Sequence, residues 1–285
     1  MSQSNLINIF ELGRQANLGL DRSVTYRADG TLLISLGQDQ PEFTRSKDES
    51  RGVPLQAAAI HYHPLKSQSW QQVLTQLKHL SQQNLPIHGL SPRWLTAHQA
   101  QGNLEAQLSE AGLASFSLST GEFNSSNEWL AFKDWSMAMV ASFVYTPETS
   151  QSQIEERVQQ LSQFKNIQSI VVLPVGLGDR VIVNALTTEG GFDAEIQAWT
   201  QIAIQKYFKT VTKPRVRASW GSVGWKMAQP TLAFGCNELA GWGIEEVITY
   251  GPKSRPHSWI GEEEVIQGIL EAGRQPQRLL QRAAV

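Results

Sequence analysis

Cysteine is nearly absent: the chain holds one, Cys236, in 285 residues. A single thiol cannot close an internal disulfide, build a Cys-rich zinc site or hold an iron–sulfur cluster on three or four thiolates. An excess of either charge is also lacking. With 24 basic against 26 acidic residues and a pI near 6.3, there is no basic footprint for nucleic acid or a membrane surface. Long hydrophobic runs are missing too. Met137 to Val144 and Ile170 to Val175 are strand-sized, well short of the ~20 residues that cross a bilayer. The start, Met1-Ser-Gln-Ser-Asn-Leu6, has no basic region followed by an apolar run of signal-peptide length. No internal repeat or long linker is visible. The expectation is a cytoplasmic protein with no nucleic-acid or membrane partner.

What is present fits a packed α/β domain. The 41% hydrophobic and 18% charged content supports a core, and the length suits one large barrel or two smaller domains. Strand-like runs fall at Leu32–Leu36, Ala57–Tyr62, Ile87–Leu90, Ser115–Leu118, Met139–Tyr145, Ser169–Pro174, Val216–Trp220 and Glu238–Trp242. Helical spacing falls between them, at Ser69–Gln82, Leu104–Ala111, Ser150–Phe164, Phe192–Thr210, Lys226–Phe234 and Glu262–Ala272. In the third of these, Thr149 or Ser150 could cap the helix, ahead of Ile154, Val158 and Leu161 on one face. Eight strands alternating with helices point to a parallel (β/α)8 barrel of TIM type. An open doubly wound sheet has the same alternation and stays as the alternative. The expected layout is one domain over 1–285. A helical segment occupies 1–23, the barrel 24–246, and a loop and helix 247–285. The polar run Gln38–Arg51 reads as a loop after the first barrel strand.

The segment from Val216 to Glu246 is distinctive. Trp220, Gly224, Ala228, Gln229, Leu232, Phe234, Gly235, Leu239, Gly241, Glu245 and Glu246 fall without a gap on a pattern of radical-SAM enzymes that make menaquinone and deazaflavin precursors. The chain resembles aminofutalosine synthase, the cyclic dehypoxanthine futalosine synthase and the second subunit of FO synthase. Glu271-Ala-Gly-Arg-Gln-Pro276, Ile87-His-Gly-Leu-Ser-Pro92, Glu110-Ala-Gly-Leu113, Glu155-Glu-Arg-Val158 and Val24-Thr-Tyr26 extend the likeness over most of the chain. It is strongest in the C-terminal third. The resemblance implies a radical-SAM-type barrel.

The departures bear on chemistry. The family carries C-x-x-x-C-x-x-C after its first strand, where three thiolates hold a [4Fe–4S] cluster that feeds an electron to SAM. Here Leu36 to Ser46 contains no cysteine. The family's second strand ends G-G-x-H-P, whereas this chain has Ile60-His-Tyr-His-Pro64. Bulky Ile60 and His61 are expected to fill the space that glycines leave for SAM. The triple glycine after the fourth strand becomes Leu118-Ser-Thr120, with Glu122 kept, and D-D-L-D-G-T in the eighth strand becomes Asn237-Glu-Leu-Ala-Gly-Trp242. No [4Fe–4S] cluster and no other cofactor is expected, and SAM cleavage is not expected.

The residues set for the barrel mouth follow from the strand ends. Glu122, His61 and Glu238 are the candidate acid/base groups. His63, His88, Tyr145, Arg217, Trp220, Asn237 and Trp242 are the candidate ligand contacts. His61 and His63 with Glu122 could face one divalent metal, but His63-Pro64 continues the family's H-P turn, and no metal is assigned. Arg217 could grip a ligand carboxylate or pair with Glu238 across neighbouring strands. Gly176-Leu-Gly178 reads as turn chemistry rather than a phosphate loop, and Cys236 as a core filler. The expected function is a ligand-binding or partner subunit working with a cluster-bearing radical-SAM paralogue on an aromatic or nucleoside-like molecule. A lyase or hydrolase acting on a chorismate-derived or nucleoside-like substrate is the alternative.

Overall fold

The computed structural model describes residues 22–26, 32–35, 42–43, 59–98, 102–122, 127–146, 148–174, 192–208, 213–241 and 260–278. Eleven strands join in one sheet. They are β1 (Ser23–Tyr26), β2 (Leu32–Ser35), β3 (Glu42–Phe43), β4 (Ala59–Tyr62), β5 (Ile87–Gly89), β6 (Leu113–Ser119), β7 (Ala138–Tyr145), β8 (Ile167–Pro174), β9 (Arg215–Ser219), β10 (Glu238–Ala240) and β11 (Gln275–Arg278). The spatial order is β11-β1-β10-β9-β8-β7-β6-β5-β4-β2-β3. From β2 through β4 to β10 the strands are parallel and in sequence order. That succession is the eight-strand run of a TIM-type barrel. β1 lies parallel between β10 and β11, and β3 pairs antiparallel with β2.

The helices are α1 (Trp70–Ser81), α2 (Pro92–Thr96), α3 (Leu104–Glu110), α4 (Gln151–Leu161), α5 (Phe192–Tyr207), α6 (Trp220–Val223), α7 (Trp225–Ala228) and α8 (Glu262–Glu271). Ser69 caps α1 and Ser150 caps α4, each in a reciprocal capping box with Gln72 or Gln153. Two otherwise orphaned amides are satisfied at each start. Thr149 instead accepts from the Thr146 amide, so Ser150 is the cap of the two. α1 buries Trp70, Val73, Leu74, Leu77 and Leu80, and each such side chain contributes about 1.5–3 kcal/mol relative to exposure.

Departures from the sequence reading have local causes. The helix expected over Lys226–Phe234 is broken into α7 and a 3-10 turn, Pro230–Phe234. Pro230 has no N–H to continue the ladder, and Gly235 at φ +104° ends the turn. Trp220 leaves β9 and opens α6. Phe192–Thr210 holds as a helix to Tyr207. The 1–23 segment, apart from residues 22 and 23, lies outside the described residues, as does most of Gln38–Arg51.

Strand alternation sorts the side chains into two surfaces. On β6, Phe116 and Leu118 join the core under the helices, so Ser115, Ser117 and Ser119 face the other way, into the barrel. The same parity puts Ala141 and Phe143 of β7 outward, with Val140 and Ser142 inward. Ile170 and Val172 of β8 pack outward, while Val171 and Leu173 meet Val140 in a separate inner cluster. Tyr26, Ala218 and Leu239 form the outer core near α6 to α8.

Candidate functional site

TIM-type bores are dominated by branched apolar side chains. This one is polar on most described strands. Cross-strand register carries the inward set around the barrel: His61 beside His88, His88 beside Ser115, Ser119 beside Ser142, Ser142 beside Val171, Val171 beside Arg217, and Arg217 beside Glu238.

On the β8–β10 side the charged groups pair with one another. Glu238 is fully buried at the first position of β10. Arg217 Nη2 lies 3.1 Å from its Oε1, and Arg215 Nε lies 3.4 Å from its Oε2. Ser169 Oγ donates to Oε2 at 2.6 Å. The two guanidinium groups offset the buried charge as ion pairs, and the hydrogen bond from Ser169 is the charge-assisted contact to this carboxylate. Asn237, one residue earlier, stitches the strand starts. Its Oδ1 accepts from Val216 N at 2.8 Å, and its carbonyl accepts from Thr25 N at 3.0 Å. Cys236 is buried, and its thiol donates to the Glu238 carbonyl at 3.1 Å. Burial pushes that thiol up from its ordinary pKa.

The β4–β7 side differs. His88 Nδ1 sits 2.7 Å from Ser115 Oγ, and the His61 and His88 rings are 6.0 Å apart. His61 is buried at 4% exposure. His63 lies just past the end of β4 and is half-buried, and burial lowers its pKa below the ordinary value. Gly89, at φ +147°, lets β5 close against β4 beside His88, since a Cβ there would meet Tyr62 O at 2.0 Å. Ser142 Oγ is buried without a hydrogen-bond partner.

The structure therefore divides the residues expected at one mouth. His61, His88, Arg217 and Glu238 share the bore, and His63 stands at its C-terminal end. Glu238 and Asn237 sit at the N-terminal end of β10, the floor rather than the mouth, because β10 begins at Glu238. Of the two partners weighed for Arg217, Glu238 is the one in contact. Tyr145 faces the helices, where it lines a small cavity of about 10 Å³ with Val172, Gln197, Met227 and Thr231. Trp220 packs in the outer core, edge-on to Trp225 at 6.1 Å. Ile60 also turns outward, so His61 alone of that pair projects into the space the family leaves open. Glu122 lies in a single 3-10 turn, Thr120–Glu122, its side chain outside the described residues. Trp242 and Gly176–Gly178 also fall outside them. Among the described residues no group of three or more His, Cys, Asp or Glu is placed to hold a metal. The sequence reading did not single out Ser115, Ser142 or Ser169. The serine alternation in Leu113-Ala-Ser-Phe-Ser-Leu-Ser119 was the signal that could have shown the first.

No family model matches the chain. Over 98% of its length the fold superposes on methylornithine synthase (PylB), covering 91% of that chain, with a TM-score of 0.56 at 9% sequence identity. Tryptophan synthase from M. tuberculosis matches at a TM-score of 0.43 and 12% identity. The fold is thus a parallel α/β half-barrel like that of methylornithine synthase. In sequence, a 63-residue stretch is 38% identical to the 5-amino-6-(D-ribitylamino)uracil–L-tyrosine 4-hydroxyphenyl transferase of Methanopyrus kandleri. That stretch is 22% of this chain and spans 17% of the length of the relative. It is a weak, partial similarity to the FO synthase branch.

Proposed function

We propose that the chain is a cluster-less radical-SAM-like barrel that binds a small aromatic or nucleoside-like molecule. In this reading it does not cleave SAM, and it works beside a cluster-bearing paralogue in menaquinone or deazaflavin synthesis. One observation carries the reading. The lone thiol, Cys236, is sealed at the floor of β10, at the opposite end of the barrel from the loop where the family anchors its cluster. His61, filling part of the bore, supports it. The partial similarity to a transferase named for a ribitylaminouracil and L-tyrosine supports the ligand class.

The test is anaerobic reconstitution with iron and sulfide, followed by incubation with SAM and dithionite. The expected result is no stoichiometric cluster and no 5′-deoxyadenosine; either product overturns the reading. Affinity purification of the tagged chain should also bring down a Cys-cluster-bearing relative.

A second reading, a non-radical lyase or hydrolase, is favoured by the 2.7 Å contact between His88 and Ser115. A histidine at hydrogen-bond distance from a hydroxyl is the arrangement that activates it. In that case His88→Ala or Glu122→Gln abolishes turnover in a folded protein.

A further inference from the structure

The cavity of about 10 Å³ behind Tyr145 lies outside the bore, between the sheet and the helical layer. Val172 and Ala218 reach it from β8 and β9, and Val223 and Met227 from α6 and α7. Those four walls are apolar. Gln197 on α5 and Thr231 in the 3-10 turn interrupt them. Gln197 is 3% exposed, and its Nε2 has no hydrogen-bond partner within the protein. Thr231 is also buried; its Oγ1 gives its proton to Ala228 O at 2.6 Å, which leaves oxygen lone pairs free to accept. Gln201 follows Gln197 by four residues, so it shares that face of α5. It is buried too, and its Oε1 has no partner. A buried amide left unpaired is destabilising, and here the unpaired group lines a space.

We infer that this cavity is a site for one tightly held water molecule. The water accepts from Gln197 Nε2 and donates to Thr231 Oγ1, with Gln201 Oε1 as the acceptor for its second proton. Size and chemistry both select water. About 10–15 Å³ is the least volume that admits one, so an organic ligand is too large. An ammonium ion has only donors and would oppose the N–H groups of Gln197, and no carboxylate lines the cavity to balance its charge. An apolar atom would leave the Gln197 amide unpaired. Buried waters typically make two to four hydrogen bonds to such groups. The bridge ties α5 to the 3-10 turn behind the end of β7, and it stands apart from any ligand in the bore.

The experiment is a crystal structure of the full chain at high resolution, with a second data set collected under xenon pressure. Gln197→Met, of similar length but without a donor, is treated in the same way after circular dichroism shows that it folds. The expected result for the native chain is an ordered oxygen at about 2.7–3.2 Å from Gln197 Nε2 and from Thr231 Oγ1, and no xenon. In Gln197→Met the oxygen should be lost and xenon should enter, as it does in dry apolar cavities. An empty cavity or bound xenon in the native chain overturns the inference, whether or not the variant folds. An oxygen that persists unmoved in Gln197→Met overturns the role given to Gln197.

Discussion

On the β8–β10 side of the bore, one carboxylate receives two guanidinium groups and a hydroxyl; on the β6–β7 side, a buried hydroxyl receives nothing. Both sides are polar and both are closed to solvent. The difference lies in what each polar group faces. Where partners come from neighbouring strands, as from Ser169 and Arg217 to Glu238, the polar groups hold the sheet. Where the facing positions are Ser119 and Val171, the hydroxyl remains available. Polarity in a barrel interior is therefore not by itself a sign of a ligand site; a charged partner on the neighbouring strand separates the two cases.

The contrast breaks most visibly at Arg217. Removing it strands Glu238 in the interior with Arg215 as its remaining cation, and Arg217→Ala should cost about 3–5 kcal/mol in urea unfolding. A loss below about 1 kcal/mol would mean the cluster does not hold the floor. Next is Phe116→Ala on the outward face of β6, where a fully buried ring is lost. The expected cost is again about 3–5 kcal/mol, with the spread set by how far the site collapses. Ser115 or Ser119 changed to Ala on the inward face should cost far less, which would confirm that this strand's stability resides in its outer side. Ser169→Ala removes one bond to the buried carboxylate and should cost about 1–3 kcal/mol, read from the same unfolding curves.

The smallest expected effect is a pH dependence. Burial lowers the pKa of His63 in the folded chain below its ordinary value of 6.5, so the unfolded chain takes up the proton first. Stability is then full above about pH 6.5 and declines as the pH falls below it, towards the lower folded value. Urea midpoints at pH 7.5 and 5.5 should differ more in the native chain than in His63→Gln. An equal difference would assign the acid sensitivity to other groups.

Most of the architecture was legible from periodicity. All eight barrel strands lie where alternation and turn signals put them, and the caps at Ser69 and Ser150 follow from local sequence. The short pieces were not legible. α2 is five residues long, and β11 (Gln-Pro-Gln-Arg) has no apolar pattern at all, yet it pairs in parallel with β1. The site was legible in part. Motif reasoning brought out His61, His88, Arg217 and Glu238, all of which line the bore. It placed Glu238 and Asn237 at the mouth from the family motif, although the expected strand already began at Glu238, the end that faces the floor. Tyr145 and Trp220 were assigned from their proximity to strand ends, yet strand parity for one and the start of α6 for the other turn them towards the helices. Which face a residue takes depends on register, and register is a property of pairs of strands that no single segment reveals.

The position of β1 bears on how the chain comes together. Tyr26 finds one neighbour at Leu239, about 210 residues later in synthesis, and Val24 and Tyr26 find the others at Pro276 and Arg278, about 250 residues later. At about 5–20 residues per second the ribosome takes roughly 11–42 s to reach the first and roughly 13–50 s to reach the second. Until β10 is made residues 23–26 have neither flanking strand, and the seam can form only as a late, long-range closure. An unpaired strand is a template for pairing with another chain. Crowded expression should therefore produce misassembly that begins at this seam, before any defect in the bore is felt.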